Sequence, residues 1–351
     1  MSERGERENG RACLLPTDML RTHGRSTSRI VACLVACIVP SLATAWAGDP
    51  APSPRSPFAA ESIAEGVFLI RPTVSSIDRT NSILVQREDG SLVIESQPSV
   101  ESARELLATI AQIDPRPIRF LVLSNPHVES IGGATAFPDS TLVIGSAGCG
   151  RLLADPSFDP GAEMRAGAAD AQAWVGPPLR PPVFLAEGPV TLADPRNPVV
   201  LSPVGEAHTE GDLLVELPRA GILYAGAILS TDGNPYASDG DLTGWLDVLH
   251  GILRLDAETL IPLRGARGTR EDARRVKDGL AWVRGQVEAG LRDGVPWEGI
   301  PKFVVQSYQF GEYFDPKASP AFHALLVEKV LREADEQRIK RMMPSIVPPG
   351  S

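Results

Sequence analysis

Asn125-Pro126-His127-Val128-Glu129-Ser130-Ile131-Gly132-Gly133 sets an imidazole and a carboxylate two residues apart and closes on paired glycines. The apolar run before it, residues 118–123, reads as a buried strand, and Gly132-Gly133 reads as a turn. Further along, Gly205-Glu206-Ala207-His208-Thr209-Glu210-Gly211-Asp212 carries a second imidazole in a second glycine-bounded loop. Another strand-like run, 213–217, follows it. Each stretch thus places a histidine in a loop beside an apolar strand.

The elements around these loops alternate in kind. Upstream, residues 66–70 read as a short strand, and 81–85 with 92–94 as a hairpin turning at Glu88-Asp89-Gly90. Residues 99–113 fit an amphipathic helix, with Ala103, Leu106, Leu107 and Ile110 on one face and Ser99 as its N-cap. Residues 141–144 read as a strand. The stretch 147–180, rich in Ala, Gly and Pro, shows little periodicity and is expected as a short helix plus a variable loop. Downstream, strands are expected at 182–186, 190–192, 199–201, 213–217 and 221–225, and a last one at 260–263. Helices are expected at 242–253, 271–291 and 320–334. Two successive blocks of strands then helix imply a layered α/β sandwich.

Composition narrows the function classes. Hydrophobic residues make up 43% of the 351-residue chain and aromatics only 5%, so the core must rest on Val, Leu, Ile and Ala. Arg25 and Arg29 precede an apolar run over 30–45, and Ala45-Trp46-Ala47 offers small residues where a signal peptidase cuts. Residues 1–47 are therefore expected to be a secretory signal region, with Met1 or Met19 as the start and a periplasmic or secreted destination. The apolar run is short for a membrane span, and no second run reaches that length. The chain after Ala47 carries 28 basic and 40 acidic residues, a net charge of −12, which disfavours nucleic acid and anionic membranes as partners. Only Cys149 remains there, so no internal disulfide can form. Residues 48–64 are expected to be a linker, 65–335 one domain, and 336–351 a flexible tail.

The order of elements and four local phrases resemble the metallo-β-lactamase superfamily. That family has an Asn-containing hairpin, here Asn81-Ser82-Ile83, and a strand ending in Asp, here Val93-Ile94-Glu95-Ser96. It continues with a His-x-His-x-Asp-His loop before Gly-Gly, here Asn125 to Ser130. A Gly-x-x-His-Thr-x-Gly-Asp phrase is matched by residues 205–212. A hairpin ending in Gly-Asp appears as Gly226-Ala227, and a closing Pro-Gly-His-Gly as Pro262-Leu263-Arg264-Gly265. The resemblance implies an αββα sandwich of two mixed sheets with outer helices. Its layout is most similar to the periplasmic metallohydrolases of quinoprotein relay systems.

The resemblance also implies a two-zinc cleft, and here this sequence departs from it. The expected cleft residues are Asn125, His127, Glu129, Ser130, His208, Ala227 and Arg264. Only His127 and His208 keep the family's ligand type, while Glu129 keeps a carboxylate one methylene longer. An amide is a poor zinc ligand beside imidazole, and Ala227 offers no donor. The expectation is no cofactor, or at most one weakly bound zinc on His127, His208 and Glu129. Arg264 is expected to pair with Glu129 across the former second-metal site. Two functions follow as expectations: a non-catalytic cleft binding a small ligand or periplasmic protein, or a mononuclear hydrolase of lactam, thioester or other ester bonds. His250 and His323 are expected to be surface or helix-packing residues, and Cys149 a small buried one.

Overall fold

The computed structural model describes residues 56–74, 76–167, 176–231, 235–308 and 320–342. The expected signal region and the residues after Met342 lie outside them. The first sheet has seven strands in chain order: β1 (Phe58–Ala64), β2 (Val67–Pro72), β3 (Ser82–Arg87), β4 (Gly90–Ile94), β5 (Ile118–Val122), β6 (Leu142–Ser146) and β7 (Phe184–Ala186). β1 to β4 pair antiparallel, and β4 to β7 pair parallel. The second sheet runs β12 (Thr259–Pro262), β11 (Ile222–Gly226), β10 (Asp212–Leu217), β9 (Val199–Gly205) and β8 (Val190–Leu192). Only its β11–β12 pair is parallel. Both sheets are mixed, as expected.

Alternation along the strands explains how the layers stack. Val67, Leu69, Ile83, Val85, Leu92 and Ile94 of the first sheet meet Val199, Leu201, Leu213, Val215, Tyr224 and Ile261 of the second in one core. The opposite face of the first sheet, with Ile70, Leu84, Val93 and Leu121, is covered by α1 (Val100–Ile113) through Ala103, Leu106 and Ile110. The opposite face of the second sheet packs on α5 (Leu242–Ile252), α6 (Arg270–Arg292), α7 (Ile300–Gln306) and α8 (Pro320–Met342). The αββα sandwich follows from these three cores. α2 (Val128–Ile131), α3 (Ala147–Ala154) and α4 (Ala162–Gly167) are short and sit at the strand ends.

Three boundaries differ from the sequence reading. The expected linker 48–64 contains β1, whose Phe58 is buried while Ala59 and Ala60 are exposed. An edge strand solvated on one face carries too few apolar residues to announce itself. The expected tail 336–351 is helical as far as Met342, and α7 was not foreseen. Cys149 is fully buried as expected. His250 is exposed on α5 and His323 is buried on α8.

Candidate metal centre

The loop after β5 is shaped by its own side chains. Asn125 Oδ1 accepts the His127 amide at 2.9 Å, and its Nδ2 donates to Ser124 Oγ at 3.2 Å. Both ends of that amide are thereby consumed by the loop, so Asn125 contributes shape and no ligand. His127 then caps α2, which ends on Gly132 and Gly133. A Cβ at Gly132 would lie 2.1 Å from Pro98 O, and one at Gly133 2.2 Å from Ser96 O. Only glycine lets α2 approach the β4–α1 connection so closely.

The second histidine loop is bolted to the first. Leu213 N–H donates to Ser124 O at 2.7 Å, and Ser146 Oγ donates to Gly211 O at 2.7 Å. Asp212 accepts from the Thr209 amide and hydroxyl at 2.9 and 2.8 Å. His127 and His208 therefore meet edge to face, with ring centroids 4.9 Å apart. Phe158 stacks on His127 at 5.8 Å, and Trp245 abuts His208 at 5.6 Å.

The third member of the group is Glu163, which the sequence reading did not single out. It stands on α4, which Val128 N–H to Pro160 O at 2.7 Å ties to the start of α2. Glu163 Oε2 lies 3.3 Å from His127 Nδ1 and 3.4 Å from His208 Nε2. None of these three atoms has a hydrogen-bond partner among the described residues. Single ligand atoms of His127, Glu163 and His208 all lie within 4.8 Å of one another. The expected triad used Glu129 instead. Glu129 is fully buried on α2 and pairs with Arg264, whose Nη2 lies 3.7 Å from its Oε1.

The expected Arg264–Glu129 pair is thus present, and Arg264 has a nearer carboxylate as well. Its closer carboxylate is Glu163, with Nη1 donating to Oε1 at 3.1 Å. Its Nη2 donates to Ile77 O at 3.1 Å. Asn81 sets this position: its Nδ2 donates to Pro262 O and Gly265 O at 2.9 and 3.0 Å, and its N–H to Leu263 O at 2.8 Å. Ser130 is buried beside the Glu95 carboxyl. Ala227, half-buried after β11, adds no polar side-chain atom.

Two further carboxylates face the outer ring nitrogens. Asp239, also unforeseen, lies 3.0 Å from His127 Nε2, and Asp212 Oδ1 lies 3.5 Å from His208 Nδ1. Burial opposes charge on both rings but is outweighed. Asp239 and Glu163 push His127 up to about 10, and Asp212 and Glu163 push His208 up to about 9. Burial also works against a charged Glu163, yet the two imidazoles and Arg264 hold it well below the usual carboxylate range. Glu129 goes the other way. Burial, then repulsion from Glu163, pushes it up to about 7, with Arg264 offsetting only part.

The donor set fits one zinc ion. Tetrahedral ligands at the usual ~2.0–2.1 Å stand about 3.3 Å apart, close to both Glu163 contacts. Imidazoles whose outer nitrogens face carboxylates are the common arrangement around a bound metal. The set does not fit two ions, because a guanidinium occupies the ground beside Glu129.

The family model of the metallo-beta-lactamase superfamily matches residues 77–263, a span that holds both histidine loops. The chain belongs to this superfamily. Solved structures agree on the fold. A metallo-beta-lactamase from Pontibacter korlensis superposes with a TM-score of 0.53 at 18% identity, covering 63% of this chain and 97% of that one. A stereoselective inverting sec-alkylsulfatase from Pseudomonas sp. gives 0.61 at 14% identity, covering 82% of this chain and 54% of that one. This superfamily member therefore spans about half the length of the alkylsulfatase. At such identities the likeness concerns the fold alone.

Proposed function

We propose that this superfamily member is a mononuclear metal-dependent hydrolase. Its ion would be held by His127 Nδ1, His208 Nε2 and Glu163 Oε2. The observation that carries this reading is the convergence of those three buried atoms, none with a hydrogen-bond partner among the described residues. When bound, zinc lowers the pKa of a water to about 7 and polarises the scissile group. The chain's own residues do the positioning. Asp239 orients His127 through a hydrogen bond to Nε2, and Asp212 places a carboxylate 3.5 Å behind His208 Nδ1. Arg264 takes Glu163 Oε1 and so leaves Oε2 turned toward the rings. The names of the similar structures suggest lactam and sulfate-ester bonds as the first substrates to try. Export, with cleavage between Ala47 and Gly48, belongs to the same reading; N-terminal sequencing of the exported protein tests it.

Metal analysis of the purified protein tests the reading directly. One zinc per chain is expected, with loss of melting temperature on chelation. Glu163→Gln should bind zinc at least about tenfold more weakly, while Glu129→Gln should bind it nearly as well as wild type. A second reading draws on the charge balance of the cleft, where two imidazoles and Arg264 face Glu163, Asp239 and Asp212. On that reading the ion pairs replace the metal, and the cleft only binds a small ligand or a periplasmic partner. A protein that takes up no zinc on addition, and whose melting ignores chelator, would favour it. Two tightly held ions per chain would overturn both.

A further inference from the structure

A cavity of about 170 Å³ opens beside Arg264, between β2, the β2–β3 connection and the 263–265 loop. Its walls include Arg71, Arg79 and Arg264, with Ser76 and Asn81, and no acidic residue. Three guanidinium groups line one small space, each facing a carboxylate that does not line it: Glu61, Glu105 and Glu163. Guanidinium donors gathered on one concavity favour an oxyanion there over a cation.

Arg71 and Arg79 are held in place with donor capacity to spare. Arg79 directs Nε and Nη2 to one oxygen of Glu105, at 3.1 and 2.7 Å, which leaves Nη1 without an acceptor among the described residues. The Arg71 guanidinium makes no hydrogen bond among them. Its one ion pair, 3.7 Å to Glu61, is shared with Arg267, which lies 3.2 Å from the same residue. Arg264 forms the inner wall and touches Glu163 from the other side. Arg267 and Arg270 turn elsewhere, toward Glu61 and toward the carbonyls of Leu255 and Ala257. The cavity is smaller than the ~300–1,000 Å³ pockets that enclose whole drug-sized ligands. It suits one charged head group.

We propose that this cavity is an oxyanion subsite that takes a sulfate, phosphate or carboxylate group on Arg71 and Arg79, with Arg264 as the wall it shares with the metal centre. Guanidinium forks match planar and tetrahedral oxyanions through paired N–H donors. In one respect the inference rests on the proposed hydrolase: if the group belongs to a substrate, that substrate is an ester or amide carrying a second, anionic end. Otherwise the same chemistry binds a free inorganic anion.

The experiment has two arms, both on the full chain. In the first, melting is followed with sodium sulfate against sodium chloride at matched ionic strength, for wild type and for Arg71→Gln/Arg79→Gln. Sulfate raises melting temperatures generally by exclusion from protein surfaces, so the variant serves as the baseline. A saturable extra rise is expected in wild type and at least about tenfold weaker apparent sulfate affinity in the variant. Arg71→Lys/Arg79→Lys should recover part of it. Equal sulfate responses in wild type and variant overturn the subsite. If the double variant fails to fold, Arg71→Gln alone, at an exposed side chain, gives the same reading. In the second arm, a neutral ester is compared with one bearing a distal sulfonate. Preference for the anionic ester, lost in the glutamine variant, assigns the group to the substrate. A sulfate effect without that preference assigns the site to a free anion. Absence of any hydrolysis counts against the proposed function but leaves the first arm decisive for the subsite.

Discussion

Four carboxyl groups near the cleft have separate fates. Glu163 and Asp239 are held below the usual range by facing imidazoles despite burial, whereas Glu129 and Glu95 are each pushed up to about 7 by burial. His127 and His208 were legible from the sequence because each sits in a phrase. Glu163 was not, since it stands in an Ala/Gly-rich stretch with no periodicity and matters only through its place in space. The shorter Arg264 contact also reorders the energetics. A double-mutant cycle of Arg264→Gln with Glu163→Gln should give coupling above about 1 kcal/mol, and one with Glu129→Gln below about 0.5 kcal/mol. Partial exposure of Arg264 keeps the first figure under that of a fully buried pair. Equal couplings would make Glu129 a partner of the same weight as Glu163. Glu95 permits a test of sign. It keeps its proton in the fold to about pH 7, against an ordinary 4.5. Its contribution to stability is complete below about 4.5 and is lost as pH rises through 7. Glu95→Gln stays neutral throughout, so its stability relative to wild type should climb between pH 5 and 8 by on the order of 3 kcal/mol. A pH-independent difference in chemical-denaturation midpoints would refute the buried, protonated Glu95.

Among the elements, α1 shows what periodicity reads well. Ala103, Leu106 and Ile110 face the core, and Ser99 caps the helix in a reciprocal box with Ser102. The β3–β4 hairpin was equally plain. β1 was hidden because its sequence, Phe-Ala-Ala-Glu-Ser-Ile-Ala, pairs one anchor residue with a mostly solvated face. α4 was hidden because six residues are too few to display a helical period. The element that matters most to the site is α2, and its approach to the first sheet depends on Gly133. Gly133→Ala would push a methyl to within 2.2 Å of Ser96 O and 2.5 Å of the Ala103 side chain. Overpacking of this kind costs about 1–3 kcal/mol, and here it would shift the loop carrying His127. The expected outcome is a lower melting temperature together with weaker zinc binding. Loss of stability at unchanged zinc affinity would show that α2 relaxes without moving the histidine.

Across the whole molecule, the centre is assembled from both halves of the sandwich. His127 and Glu163 come from connections of the first sheet, and His208 and Arg264 from ends of the second. Asn81, at the start of β3, joins the halves. Asn81 is 1% exposed, and its amide satisfies the carbonyls of Pro262 and Gly265, on either side of Arg264. Removing it strands one buried acceptor, at a cost of about 1–3 kcal/mol, and a second, half-buried one at a smaller cost. The loop would also lose the anchor that aims Arg264 at Glu163. Asn81→Ala is therefore expected to lower stability by about 2–4 kcal/mol and to weaken zinc binding about tenfold, although Asn81 touches neither the triad nor a metal. Calorimetric titration of zinc against wild type and variant, below the variant's melting temperature, separates the two effects. Lower stability with unchanged zinc affinity would mean that Glu163 holds its place without Arg264. In that case the guanidinium belongs to the oxyanion cavity alone and the two sites act independently.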